Sequence, residues 1–339
     1  NAVYLVNSIK NFGQLPLWSN TILSGYPFAA NPLAGLWYPP GWIAYLFPLP
    51  AGLNLLTAFH LVWGGVGMFI FLKRKGLSDF SSILGALAFE TLPRIWAHSA
   101  AGHLTLVYAL SWTPWLLWSE IVPWARRRWL PGLILGLILL ADVRWAVYAG
   151  ILWGVFRLAL SGGFVELTRK GKLSWLAESI RQPVVGLALA AVLLIPLAEY
   201  TAASTRSGLS ASETLAFSLQ PEQSLGLIFP DLTGYVEWVL YPGAVGIIAF
   251  LWAWLDKNLR QKTRLLRWGI IFSVLLSLGE NFLPATWLFG IPGLDLLRVP
   301  PRFMLVGGIL FSILAAVWIN HLAQITEPYA GLFKATRLG

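Results

Sequence analysis

Residues 130–160 read LPGLILGLILLADVRWAVYAGILWGVFRLAL, an apolar run interrupted at Asp142-Val143-Arg144. About 20 apolar residues in a helix cross the hydrocarbon of a bilayer. The run is therefore either one long helix or two short ones broken at Asp142, and the choice fixes the sidedness of everything after it. Two basic clusters come before it, Lys73-Arg74-Lys75 and Arg126-Arg127-Arg128. Three come after: Arg169, Lys170, Lys172 and Arg181; then Lys257, Arg260, Lys262, Arg264 and Arg267; then Lys334 and Arg337. Two crossings put all five clusters, most of the 24 Lys and Arg, on one side. A single crossing divides them. Lys and Arg concentrate in the cytoplasmic loops of membrane proteins, so two crossings are expected.

Composition points the same way. Of the 339 residues, 57% are hydrophobic and 12% charged, and mean hydropathy is +0.67. An average soluble domain is about 45–50% apolar and about 25% charged. The 19 Trp, 19 Phe and 10 Tyr suit aromatic belts at the two membrane interfaces. With no Cys there is no disulfide framework, thiolate metal site or thiol nucleophile. The net charge of +9 lies where topology explains it, so nucleic acid is not an expected partner.

Further spans are expected at Gly52–Leu72, Leu104–Val122, Pro183–Leu197, Leu240–Leu255, Trp268–Leu278 and Phe303–Leu322, with a weaker one at Phe80–Trp96 that carries Glu90, Pro93 and Arg94. The expectation is an all-α polytopic membrane protein with about eight crossings. Residues 1–339 are expected to form a single transmembrane domain, with re-entrant or interfacial loops at 1–51, 199–239 and 280–302 on the outer face. The opening at Asn1 reads as a loop rather than a helix, inside a longer chain, and the tail from Phe333 to Gly339 also reads as a cut.

The unusual polar residues gather on that outer face. Residues 15–40 (LPLWSNTILSGYPFAANPLAGLWYPP) carry too much Pro and Gly for a long helix. They read as an interfacial anchor or as a lid over a lipid-linked substrate. His98 and His103 lie five apart, which is not the spacing of a helical metal pair. On a turn they still have access to a phosphate or a metal, while helix capping is the plainer reading. Glu90 and Arg94 are spaced to pair on one helix. Asp142 and Arg144 suit a turn, or a functional charge at a buried helix break. Glu199 and Arg206 in EYTAASTR, then Asp231 and Glu237, then Arg298 and Arg302 in LRVPPRF, put Arg and carboxylate at one depth. Arg binds phosphate bidentately; helix-end snorkelling is the alternative for Arg302. No phosphate loop, dinucleotide fingerprint, Gly-x-Ser-x-Gly elbow or zinc-protease helix occurs, so cytosolic nucleotide chemistry has no support.

Taken in order, GQLPLWSNTILSGYPFAANPLAGLWYPP, AFHLVWGGVGMFIFLKRKGLS, AGHLTLVYALSWTPWLLW, PLAEYTAASTR and LRVPPRF resemble the YfhO-like bacterial membrane proteins of the GT-C superfamily of integral-membrane glycosyltransferases. The resemblance spans nearly the whole chain. It implies transfer of a sugar from a polyprenyl-phosphate donor to an acceptor on the extracytoplasmic face of the bacterial inner membrane. It also implies that His103, Glu199, Arg298 and Arg302 belong to the site; Arg206, from the clustering of Arg and carboxylate on the outer face, is a further phosphate-binding candidate. His98, Asp142, Arg144, Asp231 and Glu237 are secondary candidates. Arg, His or a divalent metal would stabilise the phosphate leaving group. The family's acidic base stands shortly before the Leu-Pro-Leu-Trp element, whereas this chain has no Asp or Glu before Asp79. The acid is then either upstream of Asn1 or missing. The family's Gly-His-Pro-Gln-like turn is replaced here by Ala141-Asp-Val-Arg-Trp145. The alternative is a non-catalytic subunit of a membrane complex on a degenerate fold of this kind. A lipid or solute transporter is less favoured, because no internal repeat is evident.

Overall fold

The computed structural model describes residues 1–21, 24–123, 129–161, 169–204, 211–230, 235–289 and 298–335. Among them the chain is all-α. In chain order the longer helices are α1 (Ala2–Phe12), α2 (Ala51–Arg74), α3 (Asp79–Glu90), α4 (Pro93–Ala100), α5 (Leu104–Ser111), α6 (Thr113–Ser119), α7 (Leu130–Ala141) and α8 (Val143–Leu160). After them come α9 (Arg169–Leu189), α10 (Ala191–Ala202), α11 (Ala244–Leu255), α12 (Lys257–Lys262), α13 (Arg264–Ser277), α14 (Leu283–Phe289) and α15 (Phe303–Ala335).

Among the described residues, three helical segments are long and apolar enough to cross a membrane: Ala51–Arg74, Val143–Leu160 and Pro300–Ile325. A fourth is available if Gly171–Leu189 and Ala191–Ala202, bent by 79° at Ala190, count as one span. Several expected spans are divided. The run 104–122 breaks at Trp112, because Pro114 opens α6 and has no N–H to continue α5. The run 80–96 breaks at Thr91-Leu92 for the same reason, with Pro93 opening α4. The run 240–255 becomes helical only at Ala244, after Pro242 and Gly243 at φ +88°. The break at Asp142 falls where expected: α7 ends at Ala141, and Asp142 caps α8 by accepting from the N–H groups of Arg144 and Trp145 at 3.0 and 3.2 Å.

The chain forms two compact units. One holds Asn1–Gly64 and Gly102–Thr214, as far as these are described. Here the expected opening loop is in fact α1. Gly13 at φ +63° ends it, with its N–H on the Ile9 carbonyl, a left-handed C-cap that glycine adopts without penalty. α1 is held by the loop that follows. Leu5 is buried with Phe28, Ala34 and Leu36, and the Tyr4 hydroxyl donates to the Trp18 carbonyl at 2.8 Å. Among its described residues the 15–40 segment has no α-helix, as its Pro and Gly content predicts: Ser19 and Tyr26 pair in an antiparallel bridge, and 3-10 turns form at Phe28–Ala30 and from Pro39.

Elsewhere in this unit α7 packs on α9 through glycine. A Cβ at Gly132 would lie 2.9 Å from the Gln182 carbonyl oxygen, and one at Gly186 would lie 3.2 Å from the Gly132 carbonyl oxygen. Gly132 and Gly136 are one turn apart, the small-residue spacing that lets helix backbones touch where lipid removes the hydrophobic drive between helices. The Gln182 side chain accepts from the Gly132 N–H at 2.9 Å, so it satisfies one of the free donors opening α7. Nearby, Glu120 is buried against Arg157 at 2.9 Å and accepts the Trp153 indole N–H at 2.8 Å.

The other unit holds Gly65–Ala101, Leu215–Pro292 and Arg298–Gly339, again as far as described. α15 is its central helix, packed by α3, α11 and α13. Small residues again set the approach. A Cβ at Gly85 would lie 2.6 Å from the Ala316 Cβ, and one at Gly307 would lie 3.2 Å from the Ser273 Cβ. The segment 215–219 is tied to the end of α13, with the Leu219 N–H on the Ser277 carbonyl at 3.0 Å and the Ser218 hydroxyl accepting from the Glu280 N–H at 3.0 Å.

Candidate functional site

Glu237 stands on a one-turn 3-10 element, Val236–Trp238, and is buried with 3% exposure. Burying a carboxylate is costly unless cations and hydrogen bonds compensate it. The compensation comes from two guanidinium groups. Arg94, in the first turn of α4, gives its Nη2 to Glu237 Oε2 at 3.1 Å and its Nη1 to the Val239 carbonyl at 3.1 Å. Arg302 grips the other oxygen, with Nε at 3.0 Å and Nη2 at 2.8 Å from Oε1. His98, one turn after Arg94, brings Nε2 to 3.7 Å from Oε2 and is 1% exposed. α4 therefore presents Arg94 and His98 on one face, as i, i+4 spacing requires. The expected Glu90–Arg94 pairing on one helix does not form that way. The helix stops at Glu90, and Arg94 is turned to Glu237.

Arg302 reaches Glu237 through a constrained turn. Val299 sits at φ +64°, a left-handed conformation that is rare for a β-branched residue and further disfavoured before Pro300. Such strain costs on the order of 1–3 kcal/mol and persists only where surrounding contacts enforce it. Across the turn, Gly279 at φ +50° has no room for a Cβ, which would meet Pro300 Cγ at 2.8 Å and run into Ser218. Tyr235, at the start of the same 3-10 element, has its phenol pushed up by burial and by the Glu237 charge, with Arg302 opposing.

Arg298 is half-buried beside the Val299 turn. His103 is half-buried and is the N-cap residue of α5; its carbonyl accepts from the Leu106 N–H at 3.1 Å, while its side chain makes no cap hydrogen bond. Glu199 is exposed in the last turn of α10. Asp142 is buried and takes Arg144 Nε at 3.0 Å and the Thr105 hydroxyl at 3.2 Å, besides its capping bonds. Arg206 and Asp231 lie outside the described residues.

One buried network was overlooked in the sequence. His60, mid-way along α2, donates from Nδ1 to the Leu56 carbonyl at 2.8 Å, which leaves Nε2 to accept the Tyr38 hydroxyl at 2.6 Å. The Trp112 indole N–H donates to the Tyr38 oxygen at 2.7 Å, and Tyr108 stacks on His60 with ring centroids 4.3 Å apart. Burial pushes the Tyr38 phenol up, so it remains a donor. The signal was an ionisable residue inside an apolar helix, which is costly without a partner. Tyr38→Phe leaves His60 Nε2 and the Trp112 N–H unpaired together. Urea or SDS unfolding in micelles is expected to show a loss of about 1–3 kcal/mol.

Comparison with known protein families, characterised proteins and solved structures found no match.

Proposed function

We propose that this chain is a GT-C-like glycosyltransferase of the bacterial inner membrane, crossing it about eight times and moving a sugar from a polyprenyl phosphate to an acceptor on the extracytoplasmic face. One observation carries the reading. A buried carboxylate, Glu237, holds Arg94 and Arg302 in fixed orientations with His98 beside them, at a turn strained at Val299. Arg302 is the more exposed guanidinium, with its side chain at 12%. In this proposal it exchanges one Glu237 contact for a phosphate oxygen, and Glu237 is a positioning residue. The arrangement serves a leaving phosphate because donors held in place need no reorganisation as charge develops.

A second reading, a non-catalytic subunit of a membrane complex, is favoured by the same cluster being closed: both guanidinium groups already bond Glu237. Arg302→Gln separates the two, because Arg94 still neutralises Glu237 and the fold is expected to survive. Binding of polyprenyl monophosphate to the purified protein, followed by microscale thermophoresis, should weaken about tenfold or more in Arg302→Gln and partly recover in Arg302→Lys. Unchanged binding in variants with wild-type helicity and melting temperature rejects the phosphate role and leaves the subunit reading.

A further inference from the structure

A cavity of about 500 Å³ opens in the second unit where α12 meets α13, lined by Lys257, Arg260, Gln261, Arg264, Arg267 and Trp268. Four of these six side chains are cationic and none is a carboxylate. The nearest acid in sequence is Asp256, and it is engaged elsewhere. It caps α12 by accepting from the Leu259 N–H at 2.7 Å and lies 3.1 Å from His321 Nε2. Solvated lysines on a helix face are ordinary; a buried arginine in the wall of such a cavity is not. Arg267 is 3% exposed. Its guanidinium stacks 3.9 Å from the Trp254 ring centroid, and Nη2 donates to the Arg260 carbonyl at 2.7 Å. Among the described residues its Nε and Nη1 have no hydrogen-bond partner. Buried donors without partners are costly, and charged ones more so. Holding Arg267 there calls for an acceptor that carries charge.

We infer that this cavity binds a phosphate group, with Arg267 at its base and Arg260, Arg264 and Lys257 at its mouth. Arg presents paired N–H donors that match two phosphate oxygens, and Lys adds a point charge. Trp268 beside the cations and the apolar α13 beyond it suit a headgroup whose tails continue into lipid, and basic pockets at helix ends recognise anionic lipids in this way. The shared chemistry is phosphate. Its source is an anionic phospholipid or a soluble phosphate, and the site stands whichever reading of the Glu237 cluster holds.

The test uses the full chain, purified in neutral detergent. Its melting temperature is measured on adding phosphatidylglycerol, phosphatidylcholine, inorganic phosphate, or sodium chloride at matched ionic strength. The variant is Arg260→Gln with Arg264→Gln; both residues are exposed, so neither carries the fold. Stabilisation by phosphatidylglycerol but not phosphatidylcholine, with affinity about tenfold or more weaker in the double variant, supports the site with a lipid as its source. Stabilisation by inorganic phosphate alone, weakened equally, supports the site with a soluble source. No stabilisation by either phosphate compound overturns the inference. So does an effect matched by sodium chloride, or one that survives intact in a folded double variant. Arg267→Lys, which keeps the charge and loses the paired donors, is expected to bind more weakly than wild type at unchanged helicity.

Discussion

Glu237→Ala is expected to remove about 3–5 kcal/mol of folding stability, because it takes the buried carboxylate away from two buried guanidinium groups, Arg94 and Arg302. The size follows from the asymmetry of buried ion pairs. Forming one offsets a desolvation penalty and yields little net, whereas deleting one partner exposes the whole penalty of the other. Here one carboxylate answers two guanidinium groups, so both are affected by one substitution. SDS titration of the purified protein, followed by circular dichroism, measures it. Combining Glu237→Ala with Arg94→Met should restore part of the loss, since one of the two buried cations is gone, and the non-additivity of that cycle is the signature. Additive losses in the double variant would show that the pair does not couple.

Gly132→Leu should cost about 3 kcal/mol or more, at the upper end of overpacking effects. The obstacle is main chain: a Cβ there already lies 2.9 Å from the Gln182 carbonyl oxygen and 2.8 Å from the Val185 Cβ. A flexible side chain can rotate away, but α9 can only move as a helix. That movement would also stretch the bond from the Gly132 N–H to the Gln182 side chain. Gly150→Ala and Gly154→Ala, on α8, are the contrast. A Cβ at either meets nothing within 4 Å, so each should stabilise by about 0.5–1 kcal/mol through helix propensity alone. Thermal melts of the three variants in one detergent decide it, and the same sign in all three would refute the packing argument.

What the sequence determined is local. Asp142 inside an apolar run is an N-cap signal that acts through its own chain neighbours, so the break between α7 and α8 was legible, as was the lack of a long helix among the described residues of 15–40. Proline breaks are equally local. Pro93 and Pro114 divide the apolar runs that hydropathy alone joined, and their missing N–H was the sign. α1 was missed because its apolar face, Leu5 with Tyr4 and Ile9, is covered by Phe28 and Leu36 from a later loop, and that packing stabilises so short a helix. The pairing of charges was decided by the tertiary structure. Arg94 had a carboxylate four residues away at Glu90, yet its partner is Glu237, 143 positions on, with Arg302 joining from 65 positions further. Spacing ranks partners only within one helix. Once Pro93 breaks that helix, burial decides, since the carboxylate held away from water gains most from the nearest cation. The same holds for the basic residues of α12 and α13. Their number and clustering were legible in the sequence, but only folding buried Arg267 behind the others and turned a charge cluster into a lined cavity.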